Sequence, residues 1–139
     1  DNTDKQSARP DFLILGYPVI SMDKAIAHPG SRQALIGAQP TNEQIKRYSP
    51  ELNVTAQTPP AFLVHAADDP SVPVDNSLVM FNALRQHHVP AELHIFTEGK
   101  HGYGVRQVRD LPAGVWPQLA MNWVDALPAL SQKKSEVKP

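Results

Sequence analysis

Two unbroken apolar runs constrain this chain more than anything else in it. Phe12-Leu13-Ile14-Leu15 ends at Gly16-Tyr17-Pro18, and Ala61-Phe62-Leu63-Val64 lies between Pro59-Pro60 and Asp68-Asp69-Pro70. Strands apolar on both faces belong inside a parallel sheet whose two sides are covered by helices. A third strand, Ala91 to Thr97, alternates more and is expected nearer a sheet edge. Between the second and third strands, Leu78, Phe81 and Leu84 recur near helical spacing over Asn76 to Gln86, with Asp75 expected to accept from the first free N–H groups. The unit is strand, helix, strand, and the fold class is α/β.

The remaining segments fit around that unit. From 21 to 58 no strand is expected; Ser31 to Ile36 before Gly37 reads as a short helix, and Thr41-Asn42-Glu43-Gln44 has capping-box spacing. Near the carboxyl end, Trp116, Leu119, Ala120, Trp123 and Leu127 form an apolar stripe, predicting a final helix of about three turns that Pro128 helps to end. Ser131 to Pro139 reads as a polar tail that frays.

Composition removes several classes of function. With 41% hydrophobic and 19% charged residues the chain is too apolar for disorder, and no apolar stretch approaches the length that spans a bilayer. A formal net charge of −1 gives no footprint for nucleic acid or an anionic membrane surface. Without cysteine there is no disulfide framework, thiolate metal site or thiol nucleophile. Asp1 to Lys5 is polar and carries no apolar signal core.

Chemistry concentrates after the second and third strands. Glu98-Gly99-Lys100-His101-Gly102-Tyr103-Gly104 presents His101 just past a strand among small neighbours, where an imidazole can exchange protons with a bound substrate. A catalytic histidine needs a carboxylate that selects its tautomer, and both Asp68 and Asp69 follow a strand. One of the two is expected to serve the Asp-Pro turn instead; we take Asp68 as the partner of His101 because it leaves the strand first.

The other candidates carry less. His28, His65, His87, His88 and His94 lack metal-ligand spacing, so His65 and His94 are expected as satisfied packing positions and His87-His88 as flanks of a helix end. Trp116 and Trp123 are expected in the core. Ser31, Ser71 and Ser77 are expected as cap and turn residues, and no serine lies in Gly-x-Ser-x-Gly, the strained turn that exposes a nucleophile.

The residues from Pro59 to Pro73, with Asn76-Ser77, Ala91-Glu92-Leu93-His94 and Gly99 to Gly104, resemble the carboxyl-terminal half of esterase/lipase-like α/β hydrolases. Tyr17-Pro18-Val19-Ile20-Ser21 and Tyr48-Ser49-Pro50 add similarity to bacterial acetyl-esterase and acetyl-xylan-esterase-like members. The resemblance implies a partial α/β-hydrolase fold over 1–130, containing the last three strands of a mainly parallel sheet with helices on both faces, and a tail over 131–139. It implies a serine esterase acting on small acyl esters, acetylated carbohydrate among them, with Asp68 and His101 as acid and base, no cofactor or metal, and the nucleophile outside this chain. The alternative is a truncated, inactive fragment that pairs with its missing amino-terminal half or with a second copy.

Overall fold

The computed structural model describes residues 8–136, with side chains described through Leu127. The polar start Asp1 to Lys5 and the last residues of the polar tail, 137–139, lie outside the described residues.

Three strands, β1 (Leu13–Gly16), β2 (Ala61–Ala66) and β3 (Ala91–Phe96), form one parallel sheet in the order β1-β2-β3. The register pairs Leu13 with Ala61 and Ala61 with Ala91, so the three strands end at the same rim. Every residue of β2 is buried, as an apolar run between two neighbours should be. The other run differs from expectation: in β1 only Leu13 and Leu15 are half-buried, and Ile14 is 44% exposed. The cause is position, because β1 has a hydrogen-bonded neighbour on one side only among the described residues. The alternating β3 does lie at an edge.

Helices cover both faces. Phe62, Val64 and Ala66 pack against Ala120 and Trp123 of α4 (Trp116–Glu136), together with Tyr103, Val108 and Ala113. On the opposite face Ala61 and Leu63 meet Met80 and Leu84 of α3 (Asp75–Gln86), with Ile20, Val54 and Val89. Adjacent residues of β2 thus feed alternate cores, as period two requires. The predicted stripe of α4 is the face that packs, and Trp123 is buried against Phe12 and Phe62.

Two details of the helices depart from the sequence reading. The buried face of α3 is Asn76, Ser77, Met80 and Leu84, while Leu78 is exposed. Polar residues occupy the first turn because they are hydrogen-bonded there, which the apolar pattern could not reveal. Asp75 is the first residue of the helix and makes no cap bond; its charge still faces the positive end of the helix dipole. The backbone of α4 also continues past Pro128 to Glu136 instead of ending as a tail. Proline removes one intrahelical bond and crowds one carbonyl, which bends a helix without prohibiting the turns that follow.

Between β1 and β2 the chain makes α1 (Pro29–Ile36), α2 (Asn42–Arg47) and a 3-10 turn at Pro50–Asn53. His28 caps α1 by accepting from the Ser31 N–H at 3.1 Å. The predicted box caps α2, with Thr41 Oγ1 accepting from Gln44 N–H and Gln44 Oε1 from Thr41 N–H.

Asn76 ties this excursion down. Its Oδ1 accepts from the Ile20 and Ser21 N–H groups at 2.9 and 3.0 Å, and its Nδ2 donates to the Ile26 and Pro73 carbonyls. Truncation would orphan buried backbone groups at both ends. Asn76→Ala is therefore expected to lower the unfolding free energy by about 2–5 kcal/mol, read from urea midpoints at constant m.

Candidate active site

The rim at the carboxyl ends of the strands gathers the residues that matter. Tyr17 follows β1, Asp68 and Asp69 follow β2, and His101 lies on the loop after β3. Crevices outside this rim are where open parallel sheets bind ligands.

His101 Nδ1 lies 2.8 Å from Asp69 Oδ2. The sequence reading placed Asp68 there, and the structure gives that contact to its neighbour. Asp68 instead turns its Oδ1 to the N–H groups of Gly99 and Lys100, 2.9 Å from each. The reason is the reversal after β2, where the Asp69 N–H reaches back to the Ala66 carbonyl and the second carboxylate, not the first, swings over the rim. Asp69 also does the turn work expected of an Asp beside Pro, since its Oδ1 accepts from Ser71 and Val72 N–H at 2.8 and 2.9 Å.

The histidine loop is shaped by unusual backbone. Lys100, Gly102 and Gly104 have φ of 62°, 70° and 53°. For Lys100 that conformation is costly, and the bond from its N–H to Asp68 helps to hold it. Gly99 is a glycine for a different reason: a Cβ there would stand 3.0 Å from the Tyr103 ring and 3.1 Å from Ala66 Cβ. Approach room was the reason offered by the sequence; close packing and left-handed turns are what the structure shows. Trp116 Nε1 donates to the Gly104 carbonyl and anchors the loop to α4.

Tyr17 completes the setting. It has φ of 39°, and its ring packs edge-on against His101 and Tyr103 with centroids 5.1 and 4.9 Å away. Nothing in its sequence neighbourhood marks the strained backbone. Burial pushes the Tyr103 phenol up to about 12, so it stays protonated.

Beneath the rim lies a second histidine. His65 is fully buried on β2; its Nδ1 is 2.8 Å from Ser77 Oγ, and its Nε2 is 3.0 Å from the Val72 carbonyl and 3.3 Å from Asp69 Oδ2. It is the satisfied packing position expected. Ser77 is fully buried in α3, so the contact Ser77, His65, Asp69 copies the composition of a triad where no substrate reaches. Ser71, on the turn, is exposed and its N–H serves Asp69. His94 meets Glu92 at 2.6 Å within β3, and His87 and His88 sit at the end of α3.

Burial and hydrogen bonds set opposite demands on these groups. Loss of water pushes His65 below its ordinary 6.5, despite the opposing influence of the Val72 carbonyl and Asp69. Burial would raise Asp69, but the Val72 N–H, His101 and the Ser71 N–H outweigh it and hold the carboxyl below 3.8. Both folded values lie below the unfolded ones, so both groups contribute stability that is complete above the unfolded pKa and lost as pH falls. His65 acts first, because below 6.5 the unfolded chain takes up a proton that the folded chain refuses. Asp69 adds a second loss below 3.8. Urea midpoints should therefore fall from about pH 7 to 5, and His65→Gln should flatten that slope relative to wild type while lowering the plateau.

The fold and the rim geometry define a class: the chain is part of an α/β hydrolase. The family model described as the prolyl oligopeptidase family matches residues 11–113, and the chain belongs to that family. It is 41% identical over 99 residues to endo-1,4-beta-xylanase B of Butyrivibrio fibrisolvens, a match covering 71% of this chain and 15% of that protein. It is 35% identical over 132 residues to an acetylxylan esterase of Xylanibacter ruminicola, covering 87% of this chain and 26% of the relative. Among solved structures, the acetyl ester-xyloside bifunctional hydrolase from Caldicellulosiruptor lactoaceticus superposes with a TM-score of 0.85 at 42% identity, over 92% of this chain and 46% of that one. The chain thus spans about a quarter or less of the length of these curated relatives.

Proposed function

We propose that this chain supplies the acid and base of a serine carboxylic ester hydrolase acting on small acyl esters, with acetylated carbohydrate as the preferred substrate class. The observation that carries the reading is the 2.8 Å pairing of His101 Nδ1 with Asp69 Oδ2 at the strand ends. With Nδ1 engaged, Nε2 of the 37% exposed His101 side chain is the atom free to take a proton from an attacking serine hydroxyl and pass it to the departing alcohol. Water then attacks the acyl-enzyme, His101 taking its proton, and releases the acid. Asp69 holds the imidazole in the tautomer with hydrogen on Nδ1 and stabilises the imidazolium. The acetylxylan esterase and acetyl ester-xyloside hydrolase relatives support the substrate class.

The serine comes from polypeptide beyond these residues, since no Gly-x-Ser-x-Gly occurs in the sequence and Ser77 is buried. Among the described residues β1 has no strand on its outer side, and there, beside the exposed Ile14, that polypeptide would add its strands. A second copy of the chain could cover this edge but would bring no nucleophile. The test is hydrolysis of a chromogenic acetyl ester by the 139-residue chain alone and by the protein that includes the preceding strands, each treated with a serine-directed fluorophosphonate. Turnover and label confined to the longer protein, on a serine outside this sequence, are expected. Turnover by the isolated chain, or label on one of its own serines, would overturn the reading.

A further inference from the structure

We propose that His65 is a positioning residue for the site, a neutral imidazole that holds the Asp69 carboxylate and the turn carrying it in the orientation His101 needs. The inference rests on the proposed catalytic pairing and goes beyond it, since His65 is fully buried and its polar contacts are with Ser77, Val72 and Asp69.

The Val72 carbonyl can only accept, so the His65 nitrogen 3.0 Å from it, Nε2, carries the hydrogen. The same Nε2 lies 3.3 Å from Asp69 Oδ2, close enough for the positive end of its N–H to attract the oxygen that faces His101. Nδ1 of His65 is then the bare nitrogen, and the Ser77 hydroxyl 2.8 Å away donates to it. Ser77 thereby selects the His65 tautomer, and His65 in turn restrains Asp69. Val72 closes the arrangement, because its N–H donates to Asp69 Oδ1 while its carbonyl accepts from His65. The Asp69 side chain is 0% exposed, so water does not substitute for these partners.

An unrestrained carboxylate beside an imidazole can rotate and let the ring choose the wrong tautomer. A buried donor on the far side prevents this, as outer partners of reacting groups commonly do, at a typical cost of 10- to 100-fold when they are lost. The lowered affinity of His65 for a proton fits the role, since an imidazolium there would have no lone pair on Nδ1 to accept from the Ser77 hydroxyl and would compete with His101 for the carboxylate.

The test is a double-mutant cycle in the ester-hydrolysing protein that carries this chain. His65→Leu should lower kcat by about 10- to 100-fold with KM within about twofold, and Ser77→Ala should lower kcat less, in the same direction. Combined with Asp69→Asn, His65→Leu should cost almost nothing further, because there is no carboxylate left to orient. Additive losses, or wild-type kcat in a folded His65→Leu protein, would overturn the proposal. Should His65→Leu fail to fold, nitrogen-15 NMR of the unsubstituted protein decides: His65 protonated on Nδ1 refutes the assignment, and Nε2–H with bare Nδ1 supports it. If the protein proves to have no esterase activity, the downfield Nδ1–H resonance of His101 replaces kcat as the readout. Its loss on Ser77→Ala supports positioning, and its persistence with unchanged exchange refutes it.

Discussion

Asp69→Asn is expected to lower kcat for ester hydrolysis by about 10³- to 10⁴-fold, while Asp68→Asn costs less than about tenfold. The two substitutions remove the same charge from adjacent residues, so the contrast isolates geometry. At position 69 the new amide would either point its NH₂ at His101 Nδ1, forcing that nitrogen to be the bare one, or point its oxygen there and leave Ser71 and Val72 facing donors. Either outcome removes the imidazolium's counter-charge. At position 68 the amide oxygen can still accept from Gly99 and Lys100, so the loop that carries His101 keeps its shape. Rates from a chromogenic acetyl ester, with circular dichroism to confirm folding, check both. Equal losses, or the larger loss at 68, would contradict the pairing.

A deeper loss is expected at the imidazole itself. His101→Ala should lower kcat by about 10⁵- to 10⁶-fold with little change in KM, because among the described residues His101 is the imidazole at the strand ends that is both exposed and paired with a carboxylate. The buried His65 cannot stand in for it, since its Nε2 is occupied and Ser77 fills its other side. Stability should fall by about 1–3 kcal/mol, because the lost imidazole is itself 37% exposed but leaves an oxygen of the buried Asp69 carboxylate without its partner. Activity within tenfold of wild type would remove His101 from the mechanism.

Some of this was legible in the residues and some was not, for identifiable reasons. Apolar runs at 12–15 and 61–64, the alternation at 91–97 and the stripe from Trp116 to Leu127 are local patterns, and each lies in an element of the expected type, although the last helix runs on past Pro128 to Glu136. The half-exposed state of β1 depends on how many neighbours a strand has, which no local pattern records. His101 was visible because glycines flank it after a strand. Choosing between Asp68 and Asp69 required the direction of a turn, and a shift of one residue there reverses where a side chain points. The strain at Tyr17 gave no sign, since a positive φ is a property of the folded backbone. His65 read as packing because its partners, Val72 and Ser77, come from a turn and a helix start that only folding brings to the strand.

The neighbouring side chains of Asn76 and Ser77 open the same helix yet serve different ends: one fastens the long excursion after β1, the other meets the buried imidazole of His65 beneath Asp69. Whatever tugs on the excursion therefore pulls on the helix turn that carries Ser77 against His65. Homologous chains that lengthen or shorten the stretch between residues 18 and 27 would have to return their backbone to the same pair of contacts, or sacrifice reaction speed before any sign of melting.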